Sequence, residues 1–170
     1  MPARAGAMPQ SASIERLGSG DGERLRAIRL RALRESPDAF GTTLEEAAAR
    51  PPESWDREIE ELATFVATAG GGDLGLVRGA PDEHSRDAGY LISMWVAPEA
   101  RRQAIGSALV DADVGWARAQ GLNRLFLDVG ESNTAAIALY ARKGFVPTGE
   151  LGSLPPPRDQ VREIQMVLRL

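Results

Sequence analysis

The hydrophobic positions of the chain fall into short runs with a period of two, separated by longer stretches with a helical period. Alternation is typical of strands, and recurrence every three to four residues is typical of helices. The resulting strand predictions are 11–17, 64–69, 73–79, 89–96, 124–129, 145–148 and 163–170. The helix predictions are 21–35, 43–50, 53–62, 105–119 and 133–143. Three consecutive glycines at 70–72 predict a hairpin turn between the second and third strands.

The order of these elements predicts the fold class. Hairpins are combined with helices that cross between strands, which indicates an α/β (mixed α+β) protein with a mixed sheet and helices on both faces. A chain of 170 residues without an internal repeat is long enough for one such core. We therefore expect a single domain over 11–170, preceded by a flexible extension at 1–10.

The helix ends and faces carry specific expectations. Asp21 and Asn133 are predicted N-caps, and Gly144 is predicted to close the last helix in the left-handed conformation. One apolar stripe is predicted for helix 105–119, namely Ile105, Leu109, Ala112, Trp116 and Ala119. Alternation with acidic and apolar residues predicts that the arginines of helix 21–35 form its solvated side, namely Arg24, Arg26, Arg29, Arg31 and Arg34.

Composition excludes several classes of function. Apolar residues make up 43% and charged residues 26%, as in ordinary globular proteins, and the net charge of −4 provides no basic field for nucleic acid. The absence of cysteine excludes disulfides, thiolate metal sites and a cysteine nucleophile. The single histidine, His84, lies in a polar run and is predicted to be a plain loop residue, so we expect no metal. With no long apolar segment and no signal peptide, we expect a cytoplasmic protein without a membrane partner.

The segment 101–107 connects strand 89–96 to helix 105–119 and has the features of an anion-binding loop. A helix N-terminus offers free N–H groups and the positive end of the helix dipole. Arg101 and Arg102 add positive charge at the same end, and the small residues after them would let a ligand approach the main chain. It is not a Walker loop, because no Gly-Lys-Ser/Thr follows. From this segment alone, an anion site and a plain connection explain the pattern equally well.

A second segment, 131–145, reads ESNTAAIALYARKGF. Seven residues make about two helical turns, so Asn133, Ala136 and Tyr140 lie on nearly one face. Such a face would suit a ligand, but a capping asparagine and a packed tyrosine would give the same pattern.

Together the two segments resemble the signatures of the GNAT superfamily of N-acetyltransferases. The family's Arg/Gln-x-x-Gly-x-Gly/Ala corresponds to Arg101-Arg102-Gln103-Ala104-Ile105-Gly106. Its Asn-x-x-Ala-x-x-Leu-Tyr-x-x-x-Gly-Phe is matched at Asn133, Ala136, Leu139, Tyr140, Gly144 and Phe145. The resemblance extends over 11–170 and implies the GNAT fold, a central mixed, mostly antiparallel, splayed sheet of about seven strands.

The resemblance also implies acetyl-CoA as cosubstrate, bound in a V-shaped opening between strands 89–96 and 124–129. Its pantetheine arm would pair with backbone near Trp95 and Val96, and its pyrophosphate would lie on the N–H groups of 101–107. Tyr140 would act as general acid toward the departing thiolate. The implied cofactor-binding residues are Trp95, Val96, Arg101, Arg102, Gln103, Ala104, Ile105, Gly106, Ser107, Asn133, Ala136 and Tyr140.

Two positions depart from the family pattern. Ala104 replaces the first glycine of the loop, and we expect a helical or β-like φ there, because the helix begins at this point and alanine would then cost little. Tyr90 stands where histone-type members carry a glutamate base, and a neutral tyrosine does not readily accept a proton. The resemblance therefore leaves the base unassigned.

Four carboxylates are candidates for that base. Asp128 could act through water, although a surface acid at a strand end is an equally good explanation. Glu131, just after strand 124–129, could also act through water, and Glu35 and Glu45 in the first helical region are weaker candidates.

The resemblance implies an acyltransferase that acetylates a primary amine of a small molecule or peptide by direct attack in a ternary complex. Direct attack agrees with the absence of a cysteine nucleophile. Two alternatives remain open, a non-catalytic acyl-CoA-binding or sensing domain and a nucleotide-binding domain. The family often dimerises, and the apolar strand 163–170 would allow a homodimer. The proline-rich loop 154–157 is either a flap over the acceptor or an ordinary connection.

Overall fold

The computed structural model describes residues 12–170, so the predicted flexible extension at 1–10 lies outside the described residues. Seven strands form one sheet in the order β1-β2-β3-β4-β5-β7-β6. The strands are β1 (Ser13–Arg16), β2 (Ala63–Ala69), β3 (Gly72–Pro81), β4 (Ala88–Val96), β5 (Arg124–Gly130), β6 (Val146–Ser153) and β7 (Arg162–Arg169). The helices are α1 (Gly22–Glu35), α2 (Leu44–Ala48), α3 (Glu53–Glu61), α4 (Ile105–Ala119) and α5 (Thr134–Arg142).

The predicted fold class is confirmed by the pairing of these strands. All neighbours pair antiparallel except β4 and β5, which are parallel. Helices cover both faces of β3: a Cβ at Gly79 would meet Asp113 and Trp116 of α4, whereas the adjacent Arg78 forms an ion pair with Glu58 of α3. Within residues 12–170, no helix is both long and apolar enough to span a bilayer.

Strand β6 is longer than the predicted 145–148, extending from Val146 to Ser153. Every residue of β6 is exposed, so no alternation between buried and polar positions marks it in the sequence. A register irregularity between Pro147 and Leu151 further interrupts its pairing with β7.

Two of the predicted helix-end residues behave as expected. The Asn133 side chain accepts a hydrogen bond from the Ala136 N–H at 3.2 Å, and Gly144 has φ of 97°. Asp21 does occupy the N-cap position of α1, but its carboxylate accepts from the Gly18 N–H instead of from the helix. The predicted N-cap position is therefore confirmed, although the Asp21 side chain makes no hydrogen bond to α1.

The apolar stripe of α4 differs from the predicted one. Ala112, Trp116 and Ala119 are not fully buried, and the buried positions are Ile105, Leu109, Val110, Asp113, Val114 and Ala117. The buried stripe therefore repeats every four residues, from Ile105 through Asp113 to Ala117. Asp113 lies in this stripe although a charged side chain is not expected in a core. Neither carboxyl oxygen of Asp113 has a hydrogen-bond partner within residues 12–170, and burial raises the pKa of Asp113 to about 8.

The β4–β5 contact creates the opening that the site uses. These strands pair only from Ala88↔Arg124 to Tyr90↔Phe126. Beyond that point β4 continues to Val96 and β5 to Gly130 without pairing to each other, while β5 remains paired with β7 to its end. The sheet is therefore splayed at its centre.

Candidate active site

A cavity of about 660 Å³ lies in this splay. Its walls come from the unpaired half of β4, the loop 101–107, the end of β5 and one face of α5. The volume is within the range of small-molecule and cofactor sites. Of the predicted cofactor-binding residues, all but Gln103 line it, namely Trp95, Val96, Arg101, Arg102, Ala104, Ile105, Gly106, Ser107, Asn133, Ala136 and Tyr140.

The loop 101–107 turns through two left-handed residues, Arg102 with φ of 63° and Ala104 with φ of 62°. The expectation of a helical or β-like φ at Ala104 is therefore wrong. The chain must reverse between β4 and α4, and the N-cap of α4 takes up that turn in the left-handed conformation. A non-glycine residue in this region costs about 1–2 kcal/mol, so Ala104 stores strain that the family's glycine would not.

The same geometry favours an anion. Left-handed residues within a turn direct successive N–H groups toward one side, and such backbone nests bind anions. Helix α4 starts at Ile105, and the first N–H groups of a helix have no partner within it. The Ala104 carbonyl already accepts the first helical bond, from the Ala108 N–H at 3.1 Å. The residues that carry the free N–H groups at the start of α4, 105–107, line the cavity.

The charged side chains of this loop make specific contacts within the protein. Arg101 donates to the Val96 carbonyl at 3.0 Å and to Glu35 at 2.9 Å. Gln103 donates to the Glu99 carbonyl at 3.2 Å and does not reach the cavity lining. Arg101 thus occupies one of the β4 backbone groups that the resemblance assigns to pantetheine.

Glu35 anchors the end of α1 to the end of β4. The Trp95 indole donates to it at 2.9 Å, and Arg101 and Ser36 are further donors. Burial opposes ionisation of Glu35, but the hydrogen bonds from Ser36, Trp95 and Arg101 outweigh it and hold the pKa below its ordinary value. A carboxylate held ionised in this way is a poor proton acceptor, which argues against Glu35 as the base.

Tyr140 lies on the α5 face that borders the cavity and is only 5% exposed. Its ring meets the edge of Phe145 with centroids 5.8 Å apart. Burial, and then the charge of Asp113, raise the pKa of Tyr140 above its ordinary value. The hydroxyl therefore keeps its proton at neutral pH and remains able to donate a hydrogen bond.

Asp128 is an exposed carboxylate that also lines the cavity. Desolvation of the carboxyl group raises its pKa above the ordinary value, which makes the carboxylate a stronger base than an ordinary aspartate. Glu131 lines a neighbouring depression, and Glu45 lies exposed in the first turn of α2. Among the candidate bases, Asp128 alone combines a place in the cavity with a raised pKa.

Tyr90 lies at the closed end of the splay and not in the cavity lining. Its ring packs on Phe126 with centroids 5.6 Å apart. Burial first, and then Asp82 and Asp128, raise its pKa, so the side chain stays neutral.

Two residues at the far end of the cavity were not among the predicted site residues. Phe40 and Ser93 line it there, and each contacts a buried arginine, Arg29 and Arg78 respectively. The prediction that Arg29 is solvated is wrong, since it is 4% exposed. The sequence does contain an indication that Arg29 is buried: it lies four residues after Leu25, on the apolar face of α1. Nothing in the sequence marks Ser93, whose φ is 58°.

The proline-rich loop 154–157 is followed by an anchored arginine. Arg158 donates to the carbonyls of Phe40 and Gly41, each at 2.8 Å, and also to that of Pro37. These bonds tie the β6–β7 connection to the segment that carries Phe40. The loop therefore stands beside the far end of the cavity.

Comparison with known proteins identifies the class to which this fold and site belong. The Acetyltransferase (GNAT) family model matches residues 28–145. The chain belongs to the GNAT family of acetyltransferases.

Two bacterial relatives are similar over most of this chain. The mycothiol acetyltransferase of Thermobispora bispora is 30% identical over 149 residues, covering 85% of this chain and 50% of the relative. The mycothiol acetyltransferase of Stackebrandtia nassauensis is 33% identical over 129 residues, covering 74% of this chain and 41% of the relative. The chain spans half or less of the length of these relatives.

Solved structures agree with the fold. An acetyltransferase of the GNAT family from Streptococcus pneumoniae superposes with a TM-score of 0.81 at 23% identity, covering 94% of this chain and 99% of that one. A putative acetyltransferase from Salmonella typhimurium, solved with its cofactor acetyl-CoA, gives a TM-score of 0.76 at 17% identity, covering 94% of each chain.

Proposed function

We propose that this protein is an acetyl-CoA-dependent N-acetyltransferase that acetylates a primary amine of a small molecule or peptide. The observation that carries the proposal is the cavity in the β4–β5 splay, which joins the N-terminus of α4 to the buried hydroxyl-bearing face of α5. One end supplies N–H donors for an anion, and the other supplies a proton donor. A thioester with a pyrophosphate tail requires both.

The residues present fit the cofactor. Arg102 and Ala104 shape the nest of N–H groups, and Gly106 faces the cavity in the first turn of α4. A Cβ at Gly106 would lie 3.2 Å from Leu139 Cδ2 and 3.3 Å from Met94 Cε. The absence of a side chain at Gly106 therefore keeps the approach to the N–H groups open, as a pyrophosphate needs.

Acetyl-CoA supplies an activated acyl group, so the chain needs no nucleophile of its own. The unpaired backbone at the end of β4 offers N–H donors for the thioester oxygen. Tyr140 donates its hydroxyl proton to the departing sulfur, and Asp128 accepts the proton of the acceptor ammonium through water. Attack occurs directly, with both substrates bound in one ternary complex.

Binding without turnover is the second candidate. Tyr90 is the observation that favours it, because a neutral phenol occupies the position where histone-type relatives carry a carboxylate base. In that case the protein would be an acyl-CoA sensor. The two candidates share a cofactor and differ in whether CoA is released.

Release of free CoA thiol from acetyl-CoA in the presence of an amine panel tests the proposal. The panel should include peptides, small polyamines, aminoglycosides and a mycothiol-related amine, because the two bacterial relatives are named for mycothiol. Amine-dependent release supports the transferase, and thermal stabilisation by CoA without release supports the sensor. Stabilisation by ATP but not by CoA would contradict both.

A further inference from the structure

A basic cluster lies directly beneath the far end of the cavity. It consists of Arg29 on α1, Arg50 before α3 and Arg78 on β3, grouped around the Glu58 carboxylate of α3. Glu58 is 2.8 Å from Arg78 Nη1 and 3.2 Å from Arg50 Nη1. Two guanidinium groups thus form ion pairs with one carboxylate, and the third lies close enough to feel its charge.

Two of these guanidinium groups are deeply buried, with Arg29 4% and Arg78 6% exposed. Arg29 Nη1 has no hydrogen-bond acceptor within residues 12–170. Burial, and then the neighbouring Arg78, lower the pKa of Arg29 to about 9, which leaves it charged at neutral pH. Since an uncompensated buried charge is costly, the cluster favours an additional negative group close by.

Both buried arginines contact residues that line the cavity. The Arg29 guanidinium stands over the Phe40 ring at 5.0 Å from its centroid. Arg78 Nε and Nη2 donate to the Ser93 hydroxyl oxygen at 2.9 and 2.7 Å. The cluster is therefore separated from the cavity only by the side chains of Phe40 and Ser93, which line it.

The two bonds from Arg78 determine what the Ser93 hydroxyl can do. A serine hydroxyl has two acceptor lone pairs and one donor hydrogen. Both Arg78 nitrogens approach the oxygen from the same side, and the hydroxyl hydrogen remains available for donation into the cavity. A donor whose oxygen is already polarised by a guanidinium is suited to an anionic acceptor.

The other wall of the cavity has the opposite charge. Asp128 lies there, on the same face of the sheet as Glu163, because Asp128 pairs with Gln165 and Gly130 pairs with Glu163. Burial, and then Asp128, raise the pKa of Glu163. A molecule that bridges the two walls would place its ammonium toward Asp128 and a negative group toward Ser93.

We propose that the acceptor is an amine that also carries an anionic group, a carboxylate or a phosphate, which accepts a hydrogen bond from the Ser93 hydroxyl above the Arg29–Arg78 cluster. This inference rests on the proposed acetyltransferase function and names the class of its acceptor. Ser93 is then a specificity-determining residue.

Matched acceptor pairs test the inference on the unmodified protein. The pairs are β-alanine with β-alaninamide, and phosphoethanolamine with ethanolamine. We expect kcat/KM to be about tenfold to a hundredfold higher for the anionic member of at least one pair, the range of a hydrogen bond to a charged group. A preference for β-alanine alone would identify the anionic group of the acceptor as a carboxylate. A preference for phosphoethanolamine alone would identify it as a phosphate. Equal rates, or faster rates with both neutral members, would overturn the inference.

Substitutions at Ser93 test whether this residue causes the preference for anionic acceptors. Ser93→Ala removes the donor and should lower the ratio of anionic to neutral kcat/KM about tenfold. Because Ser93→Ala also leaves Arg78 Nε and Nη2 without their acceptor, Ser93→Asp is the second variant. Aspartate tolerates positive φ, still accepts from Arg78 and brings a negative charge into the cavity. We expect Ser93→Asp to prefer the neutral acceptor of each pair. An unchanged ratio of anionic to neutral kcat/KM would overturn the role of Ser93. Ser153→Ala, in the exposed strand β6, is the control.

A binding measurement separates failure of this inference from failure of the proposed function. If no amine is acetylated, the transferase is wrong, and thermal unfolding of the CoA complex then decides the acceptor class. A larger rise of the midpoint with β-alanine or phosphoethanolamine than with its neutral partner supports the anionic ligand. Equal midpoints for both pairs contradict it.

Discussion

Tyr90 and Phe126 are the last residues that pair β4 with β5, and their rings pack with centroids 5.6 Å apart. Beyond this aromatic pair the two strands separate and the cavity begins. Tyr90 therefore occupies the closed end of the splay, where an aromatic ring contributes packing to the sheet and no proton transfer. The chemistry has to come from residues further along the opening.

Replacing Tyr140 with Phe should lower kcat about a hundredfold, because general acid catalysis typically contributes 10²–10⁴-fold. Affinity for CoA should change little, since the ring and its contact with Phe145 remain. Steady-state kinetics together with calorimetric titration of CoA provide the check. Tyr90→Phe is the matched control, because Tyr90 is the only other tyrosine of the chain. Equal losses of kcat in Tyr140→Phe and Tyr90→Phe would contradict the role of Tyr140 as general acid.

Replacing Asp128 with Asn should remove the acidic limb of the pH–rate profile. The base works only when ionised, and its raised pKa places that limb above the range of an ordinary aspartate. Wild-type kcat/KM should therefore rise with pH through this pKa, and Asp128→Asn should be about a hundredfold slower without that rise. Glu131→Gln tests the competing carboxylate. A larger loss of kcat/KM in Glu131→Gln than in Asp128→Asn would identify Glu131 as the base.

Replacing Ala104 with Gly should stabilise the protein by about 0.5–1 kcal/mol. Relief of the left-handed strain gains about 1–2 kcal/mol, and the greater freedom of glycine in the unfolded chain offsets part of it. Urea unfolding measures the difference. Ala138→Gly, in the exposed middle of α5, should instead destabilise by a similar amount. A destabilised Ala104→Gly would show that the φ of 62° carries no strain.

Replacing Asp113 with Asn should flatten the dependence of stability on pH. The folded state holds the Asp113 proton up to about pH 8, whereas the unfolded state releases it near 3.8. Between these values the free energy of unfolding falls by about 1.4 kcal/mol per pH unit as the pH rises. Asn removes that slope, so the variant should gain stability over the wild type toward pH 8.

Urea unfolding across this pH range provides the measurement for Asp113. Asp111→Asn, on the exposed side of α4, is the control and should keep the wild-type slope. Parallel curves for Asp113→Asn and the wild type would contradict the account of a buried, unpartnered carboxyl group.

The periodicity of hydrophobic residues was sufficient to predict most of the helices and strands, because the buried face of each element requires apolar residues at a regular spacing. Helix α4 has the predicted bounds of 105 and 119, whereas β6 was shortened since none of its residues is buried. Arg29 was misplaced because a charged side chain argues for solvent even when its helical position argues for the core, and the predicted stripe of α4 did not include the buried Asp113.

The candidate site was only partly accessible from the sequence. The two signature segments lie in the sequence as continuous motifs, and both line the cavity. The conformation of Ala104 and the Arg78–Ser93 contact depend on how strands and loops meet in space. No local pattern encodes either of them.

Calorimetric titration of acetyl-CoA into the wild type and into Gly106→Glu tests the cofactor site most directly. Glutamate at 106 would put a carboxylate beside the N–H groups at the start of α4 and bring a side chain against Leu139 and Met94. Gly115→Glu adds the same charge on the exposed side of α4, where nothing lies within 4 Å of the new Cβ. We predict one site per chain in the wild type and in Gly115→Glu, and about hundredfold weaker binding in Gly106→Glu, the loss of a charged hydrogen bond. Equal affinity in all three proteins would contradict acetyl-CoA binding in the β4–β5 splay.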